Sequence, residues 1–328
     1  MKNFKYLLLL FLSVSISFYS CDDDDDDNNT PSTPAATGPT QNIAEIAIAD
    51  SRTDSLVVAL SHANLVSTFQ GIGNFTVFAP DNQAFRDLLA TDMSWNKITD
   101  IDTTDLKDVL FYHVLGSKVM SGSLTDDTYA TTLNIQGSVN NEATVIEVDV
   151  NGSSVSLNNN ASVDQADIEA TNGVIHIIDA VIMPRNIVEL AINDERFSIL
   201  VQALQVFGDT LTGALSGPGP FTVFAPTNDA FQALLDSDST WNTLSDIPRA
   251  TLNTVLKYHV IPNANAQSSS LMQSQSLTSL NNLTLTVDLS NGAQLMTSSM
   301  EQGNVNIIVT DVQGTNGVVH AVEEVLLP

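Results

Sequence analysis

Apolar residues follow a helical period in one half of the chain's main unit and a period of two in the other half. After Asn186, Ile187, Leu190 and Ala191 recur at helical spacing, and Leu200, Val201 and Leu204 fall on one face of the next segment. Asn42 and Asn186 carry Glu45 and Glu189 three positions on, a capping-box arrangement that predicts a helix start at each. Phe75–Phe78 and Phe221–Phe224 are short, β-rich and followed by proline, so they predict strands whose exit the proline fixes. Asp81 and Thr227 then stand where they cap helices, in which Phe85, Leu88, Leu89 and Phe231, Leu234, Leu235 recur at i, i+3, i+4. Leu106, Leu110 and His113, with Leu252, Leu256 and His259, mark one further helical stripe in each half of the chain.

Beyond these stripes the period changes. Ile146, Val148 and Val150 alternate with Glu147 and Asp149, then Asn151-Gly152 leads to Val155 and Leu157, which predicts a β-hairpin. Leu283, Leu285, Val287 and Leu289 before Asn291-Gly292 predict its counterpart. Val174–Ile178 and Val318–Val322 are apolar at every position but one histidine, so each predicts a strand covered on both faces. Helix-rich and strand-rich halves within one unit give an α+β class.

The unit occurs twice. Phe75-Thr-Val-Phe-Ala-Pro80-Asp-Asn82-Gln-Ala-Phe85 returns as Phe221-Thr-Val-Phe-Ala-Pro226-Thr-Asn228-Asp-Ala-Phe231, and Tyr112-His113-Val114 returns as Tyr258-His259-Val260. Thr171-Asn-Gly173-Val-Ile-His176 returns as Thr315-Asn-Gly317-Val-Val-His320, and the units close on Pro184 and Pro328. Corresponding blocks stand 144 to 146 residues apart, a length that buries its own core, so the halves are read as tandem domains, 42–184 and 185–328, and not as a solenoid. The junction between them is short.

This order of motifs resembles the fasciclin (FAS1) domain, and both copies carry all of it. The resemblance implies compact domains with helices packed on a twisted β wedge, in secreted and cell-surface proteins associated with adhesion. It implies no shared catalytic residues, and no cofactor or metal is expected. It also singles out Asn82, Tyr112, His113 and His176 with Asn228, Tyr258, His259 and His320 as family-motif residues, structural or partner-binding.

Charge narrows the partners. With 11 Lys plus Arg against 38 Asp plus Glu the formal charge is −27, so nucleic acid, which needs clustered cations, is excluded as a partner. The excess serves solubility or attracts cations and basic partners.

The first twenty residues place Lys2 and Lys5 before an apolar run too short to span a bilayer, a signal-peptide pattern. The only cysteine, Cys21, follows directly and resembles the lipidated residue of a bacterial lipoprotein. The run Asp22, Asp23, Asp24, Asp25, Asp26, Asp27 stays extended by self-repulsion; it resembles an export signal to the outer face of the outer membrane, which its length favours over the retention signal that Asp directly after Cys also resembles. Residues 30–40, with three prolines and almost no apolar bulk, read as a tether, so 21–41 holds the domains off the membrane.

Four of the five histidines lie at equivalent positions on apolar stripes, which favours buried, hydrogen-bonded imidazoles over metal ligands or catalytic bases. No HExxH, GxSxG or glycine-rich phosphate loop accompanies them. Asp100-Ile-Asp102-Thr-Thr-Asp105 offers oxygen ligands but lacks the glycine and distal Glu of a calcium loop, and a helix cap is the simpler reading. Trp95 and Trp241 are read as anchors under loops, with a sugar-stacking platform as the alternative. The sequence thus predicts no enzyme. It predicts a surface lipoprotein whose tandem domains bind matrix, a polysaccharide or another cell, or, alternatively, build an envelope or biofilm structure without a defined receptor.

Overall fold

The first domain opens on helix α1 (Ile43–Ala49), set by a complete capping box: Asn42 Oδ1 accepts from Glu45 N, and Glu45 Oε2 accepts from Asn42 N. α2 (Asp54–His62) and α3 (Val66–Gln70) follow, then strand β1 (Phe75–Pro80), α4 (Asn82–Ala90), α5 (Thr103–Tyr112) and the short β2 (Val114–Leu115). The strand-rich half is β3 (Thr128–Thr131), β4 (Val145–Asn151), β5 (Ser154–Leu157), β6 (Ala161–Ala170) and β7 (Gly173–Ile178). The second domain repeats the order with α6 (Ile187–Asn193), α7 (Ser198–Gln205), α8 (Asp209–Ser216), β8 (Phe221–Pro226), α9 (Asn228–Asp236), α10 (Arg249–Tyr258) and β9 (Val260–Pro262). It ends on β10 (Ser276–Thr278), β11 (Thr284–Asp288), β12 (Gln294–Met296), β13 (Val305–Gly314) and β14 (Gly317–Val322). This computed structural model describes residues 38–328 apart from 127, 136, 207–208 and 300–301. The leader, Cys21 and Asp22–Asp27 lie outside the described residues.

Each domain builds one sheet, in the order β2-β1-β7-β6-β5-β4-β3 and, in the second, β9-β8-β14-β13-β12-β11-β10. Only β1 with β7, and β8 with β14, run parallel; the other ladders are antiparallel. The interior strands β7 and β14 are buried along their whole length, as their runs, apolar but for one histidine, predict. One face of β7 sends Ile175 and Ile177 into a core with Leu56, Phe69, Phe85 and Leu106 from the helices. The other side packs Phe78, Tyr112 and Ile178 against Ile146, Val148 and Leu157 of the curled hairpin strands. The second domain has the same two cores, on Leu200, Phe231 and Val319 and on Phe224, Leu285 and Val322.

The repeated Asn-Gly block has a backbone reason. Asn172 accepts from Ile43 N and donates to Phe69 O and Gly71 O, stitching α1 and α3 to the turn before β7. Asn316 does the same with Ile187 N, Leu215 O and Gly217 O. At Gly173 a Cβ would stand 2.1 Å from Phe75 O, and at Gly317 2.3 Å from Phe221 O, so neither position admits a side chain.

The hairpin prediction holds for β4 and β5 with one departure. Glu147, at a polar position of the alternation, is buried. In the second domain β11 covers only Thr284–Asp288. Leu285 and Val287 are buried, but Leu283 and Leu289 lie beyond the strand and are exposed. The turn at Asn282, with a positive φ, and the hydrogen bond that Asp288 Oδ1 accepts from Ser290 N end the ladder at both sides.

Candidate functional site

The family-motif residues are tied into the interior. His113 Nδ1 donates to Val109 O at 2.7 Å and its Nε2 accepts from Ile182 N at 3.1 Å; His259 repeats this with Val255 O and Leu326 N. Each ring therefore closes the end of a helix onto the segment that leaves the last strand. His176 uses the opposite tautomer, with Nε2 donating to Val119 O and Nδ1 accepting from Asp167 N, and His320 matches it with Ala266 O and Asp311 N. His176 and His320 also stack on Phe78 and Phe224 at 5.6 Å. Both ring nitrogens of all four are engaged by backbone, so the two histidines of a domain serve separate joints.

Burial pushes His113 and His259 down to about 4, and lowers His176 and His320 as well, so the neutral rings that these bonds require persist at neutral pH. Tyr112 O–H donates to Val145 O and receives Asn158 Nδ2, while Tyr258 O–H donates to Thr284 O. Tyr112 and Tyr258 expose none of their surface, and His113 and His259 only 2%. The Tyr-His pair thus offers nothing to a partner while the fold is closed. Asn82 ties the start of α4 to the turn that opens α2 by accepting from Ser55 N and donating to Ser51 O, and Asn228 ties α9 to the start of α7 with Ile199 N and Glu195 O.

The remaining sequence candidates resolve similarly. Asp102 caps α5 by accepting from Thr104 N, and Asp100 accepts from Asn96 N and Lys97 N. Trp95 and Trp241 are half-buried against the helix-side cores. Among the described residues no group of three or more His, Cys, Asp or Glu is placed to hold a metal. Each domain has an apolar cavity beneath its first helix, of about 20 Å³ beside Ile43, Phe69 and Ile175 and about 30 Å³ beside Ile187, Leu215 and Val319. These volumes suit one water at most, so binding of anything larger falls to the surface.

The side chains that the sequence reading missed converge at the domain junction. Tyr129 on β3 donates its hydroxyl to Asp194 Oδ2 at 2.5 Å, and the Arg196 guanidinium lies 5.5 Å from the Tyr129 ring centre. Asp194 in turn holds Arg196 through Nε–Oδ1 at 2.9 Å and Nη2–Oδ2 at 2.7 Å, a bidentate pair. Arg185 reaches back to Glu147 at 3.4 Å and to Asn158 O. Asn159 Nδ2 donates to Asn193 O, and Val139 N to Thr315 O. Val145 and Tyr129 pack into the helix-side core of the second domain. Burial, reinforced by Asp149 and Asp194, pushes the Glu147 carboxyl up to about 8 in spite of Arg185. Two signals in the sequence pointed here: an acid within an apolar strand, and the doublet Asp50-x-Arg52 repeated as Asp194-x-Arg196.

Comparison with known proteins extends this picture. The family profile of the fasciclin domain matches residues 51–184 and 195–328. Transforming growth factor-beta-induced protein ig-h3 of Oryctolagus cuniculus is 30% identical over 319 residues, covering 96% of this chain and 44% of that protein. Human periostin is 28% identical over 278 residues, covering 81% of this chain and 30% of its own length. The chain therefore spans less than half the length of these animal relatives. A solved FAS1 domain pair from the insect cell adhesion molecule Fasciclin I aligns with a TM-score of 0.49 at 20% identity, over 87% of this chain and 96% of that one.

Proposed function

The chain belongs to the fasciclin family, and on that premise we propose that it is a lipid-anchored protein of the bacterial outer surface whose paired domains bind an extracellular protein or polysaccharide in adhesion. The observation that carries this reading is the junction. A buried contact holds two like domains in one relation, so a ligand that repeats along a polymer or matrix meets both at once and gains by avidity. The internal commitment of every motif histidine supports a binding module over an enzyme. A screen of residues 42–328 against glycan and matrix arrays tests the reading: saturable binding to one ligand class is expected. Binding that never saturates on any surface would favour a structural envelope role instead.

The anchor rests on the leader, Cys21 and the acidic run standing in lipoprotein order. Replacing Cys21 with Ala should release a soluble form, because a single residue carries the whole lipid attachment. Protease added to intact cells should shave the domains off. Protection until the outer membrane is breached would instead assign Asp22–Asp27 to retention inside the envelope.

A further inference from the structure

We propose that the exposed Asp50–Arg52 platform at the end of α1 is a docking site for a tyrosine-bearing β-sheet face on a different protein, the kind of surface that the first domain presents to the second.

The internal duplication supplies the argument. Asp50 binds Arg52 through Nε–Oδ1 at 3.0 Å and Nη2–Oδ2 at 2.6 Å, and accepts from Arg52 N at 3.0 Å. Asp194 and Arg196 hold each other in the same pattern, within 0.1 Å at each of these contacts. In the second domain the platform is covered. The Tyr129 hydroxyl sits on the Asp194 carboxylate, its ring lies by the guanidinium, and the Asp194 side chain is 3% exposed. In the first domain the same platform is open, with Asp50 at 22% and Arg52 at 48%. Ile46, which lines one cavity with Asp50, is half-buried where its counterpart Leu190 is buried. A carboxylate oxygen and a guanidinium face are thus preassembled and lack only the aromatic hydroxyl that the fold pairs with them elsewhere.

The second domain's own free sheet face does not supply it. Tyr129 pairs across the ladder with Glu147, and the corresponding cross-strand pair in the second domain is Ser276 with Thr286. The correspondence is fixed by Tyr112 O–H meeting Val145 O and Tyr258 O–H meeting Thr284 O, two positions before Glu147 and Thr286. A second copy of this chain therefore brings a short hydroxyl where a tyrosine is required, which assigns the site to a partner of another sequence. The surface role proposed above is the frame for this site, yet the two stand or fall separately, since array binding of the wild type does not use the test that follows.

That test gives the full chain the missing groups. Ser276 is exposed and Thr286 half-exposed, so Ser276→Tyr with Thr286→Glu places a tyrosine and a carboxylate on the free face without entering the core. Sedimentation equilibrium should show head-to-tail association at least ~10-fold stronger than wild type, heterologous and open-ended. Adding Asp50→Ala should return it to the wild-type level, and Phe at 276 should keep only part of the gain because the ring lacks the hydroxyl. If the double substitution lowers the melting midpoint, Ser276→Tyr alone is read in the same way. A folded variant that sediments as wild type overturns the proposal. So does association that survives Asp50→Ala, and so does wild-type association of equal strength through Asp50, which would make a second copy the partner.

Discussion

Acidification from pH 6.5 to 4 is expected to remove a large part of the fold's stability, with His113 and His259 carrying most of the loss. Both imidazoles titrate near 6.5 when unfolded and are held down to about 4 by complete burial. Between those values the unfolded chain binds protons that the native chain refuses, so stability rises with pH across the window and is fully present above pH 6.5. Each histidine is worth roughly 3 kcal/mol over this range. Glu147 works in the opposite sense: its carboxyl, raised to about 8, favours the native state below its unfolded value and loses that advantage as pH rises toward 8. The optimum should therefore fall at about pH 6.5, where the gain from the two histidines is complete and only the loss from Glu147 remains. At neutral pH, His113→Ala or His259→Ala should cost about 3 kcal/mol, since each leaves a cavity and an orphaned backbone N–H, Ile182 or Leu326. At pH 4 the same substitutions should cost little, because the wild type has already lost the benefit. Urea melts from pH 4 to 8 read both effects. An acid limb unchanged in the double variant would remove the histidines from this account.

Much of this architecture was legible because local chemistry and the global fold agree. The capping boxes at Asn42 and Asn186, the strands ending at Pro80 and Pro226 and the doubly buried β7 and β14 follow from spacing alone. The edge strands β2, β3, β9 and β10 did not, because two to four residues give too short a period to read. β6 and β13 escaped for another reason: bulges at Asp167 and Asp311, both at positive φ, break the alternation while aiming a backbone N–H at the histidine. The apolar stripes around the histidines point to a structural role, but their partners are backbone atoms that no spacing reveals, among them Ile182 N and Val119 O. The junction was invisible for a related reason. Tyr129, Glu147, Asp194 and Arg196 are spread over 68 residues and belong to different domains, so only the packing of one copy on the other makes them neighbours.

Truncating Tyr129 to Ala is expected to weaken the coupling of the two domains. The ring fills space in the second domain's helix-side core beside Val145, and aromatic-to-alanine changes in such sites cost ~3–5 kcal/mol, less here because the ring is only half-buried. The change also strips the hydroxyl from Asp194, a carboxylate almost wholly out of water that would keep Arg196 as its one charged partner. Tyr129→Phe separates these contributions. It retains the ring and the guanidinium contact and should cost about 1.5–3 kcal/mol, the range for a hydrogen bond to a charged group. Arg185→Ala attacks the same joint from the other side by freeing Glu147 and Asn158 O. The wild type should unfold in one calorimetric transition, because neither domain can expose its half of the junction without cost. Tyr129→Ala with Arg185→Ala should split that into two transitions and raise amide exchange along α6, while the four histidine joints keep each domain folded. If the double variant still melts as one unit, with α6 protected as before, the junction is not what couples the domains. In that case the fixed relation of the two domains comes from some other contact, and the avidity proposed for this chain would rest on that contact instead of on Tyr129 and Arg185.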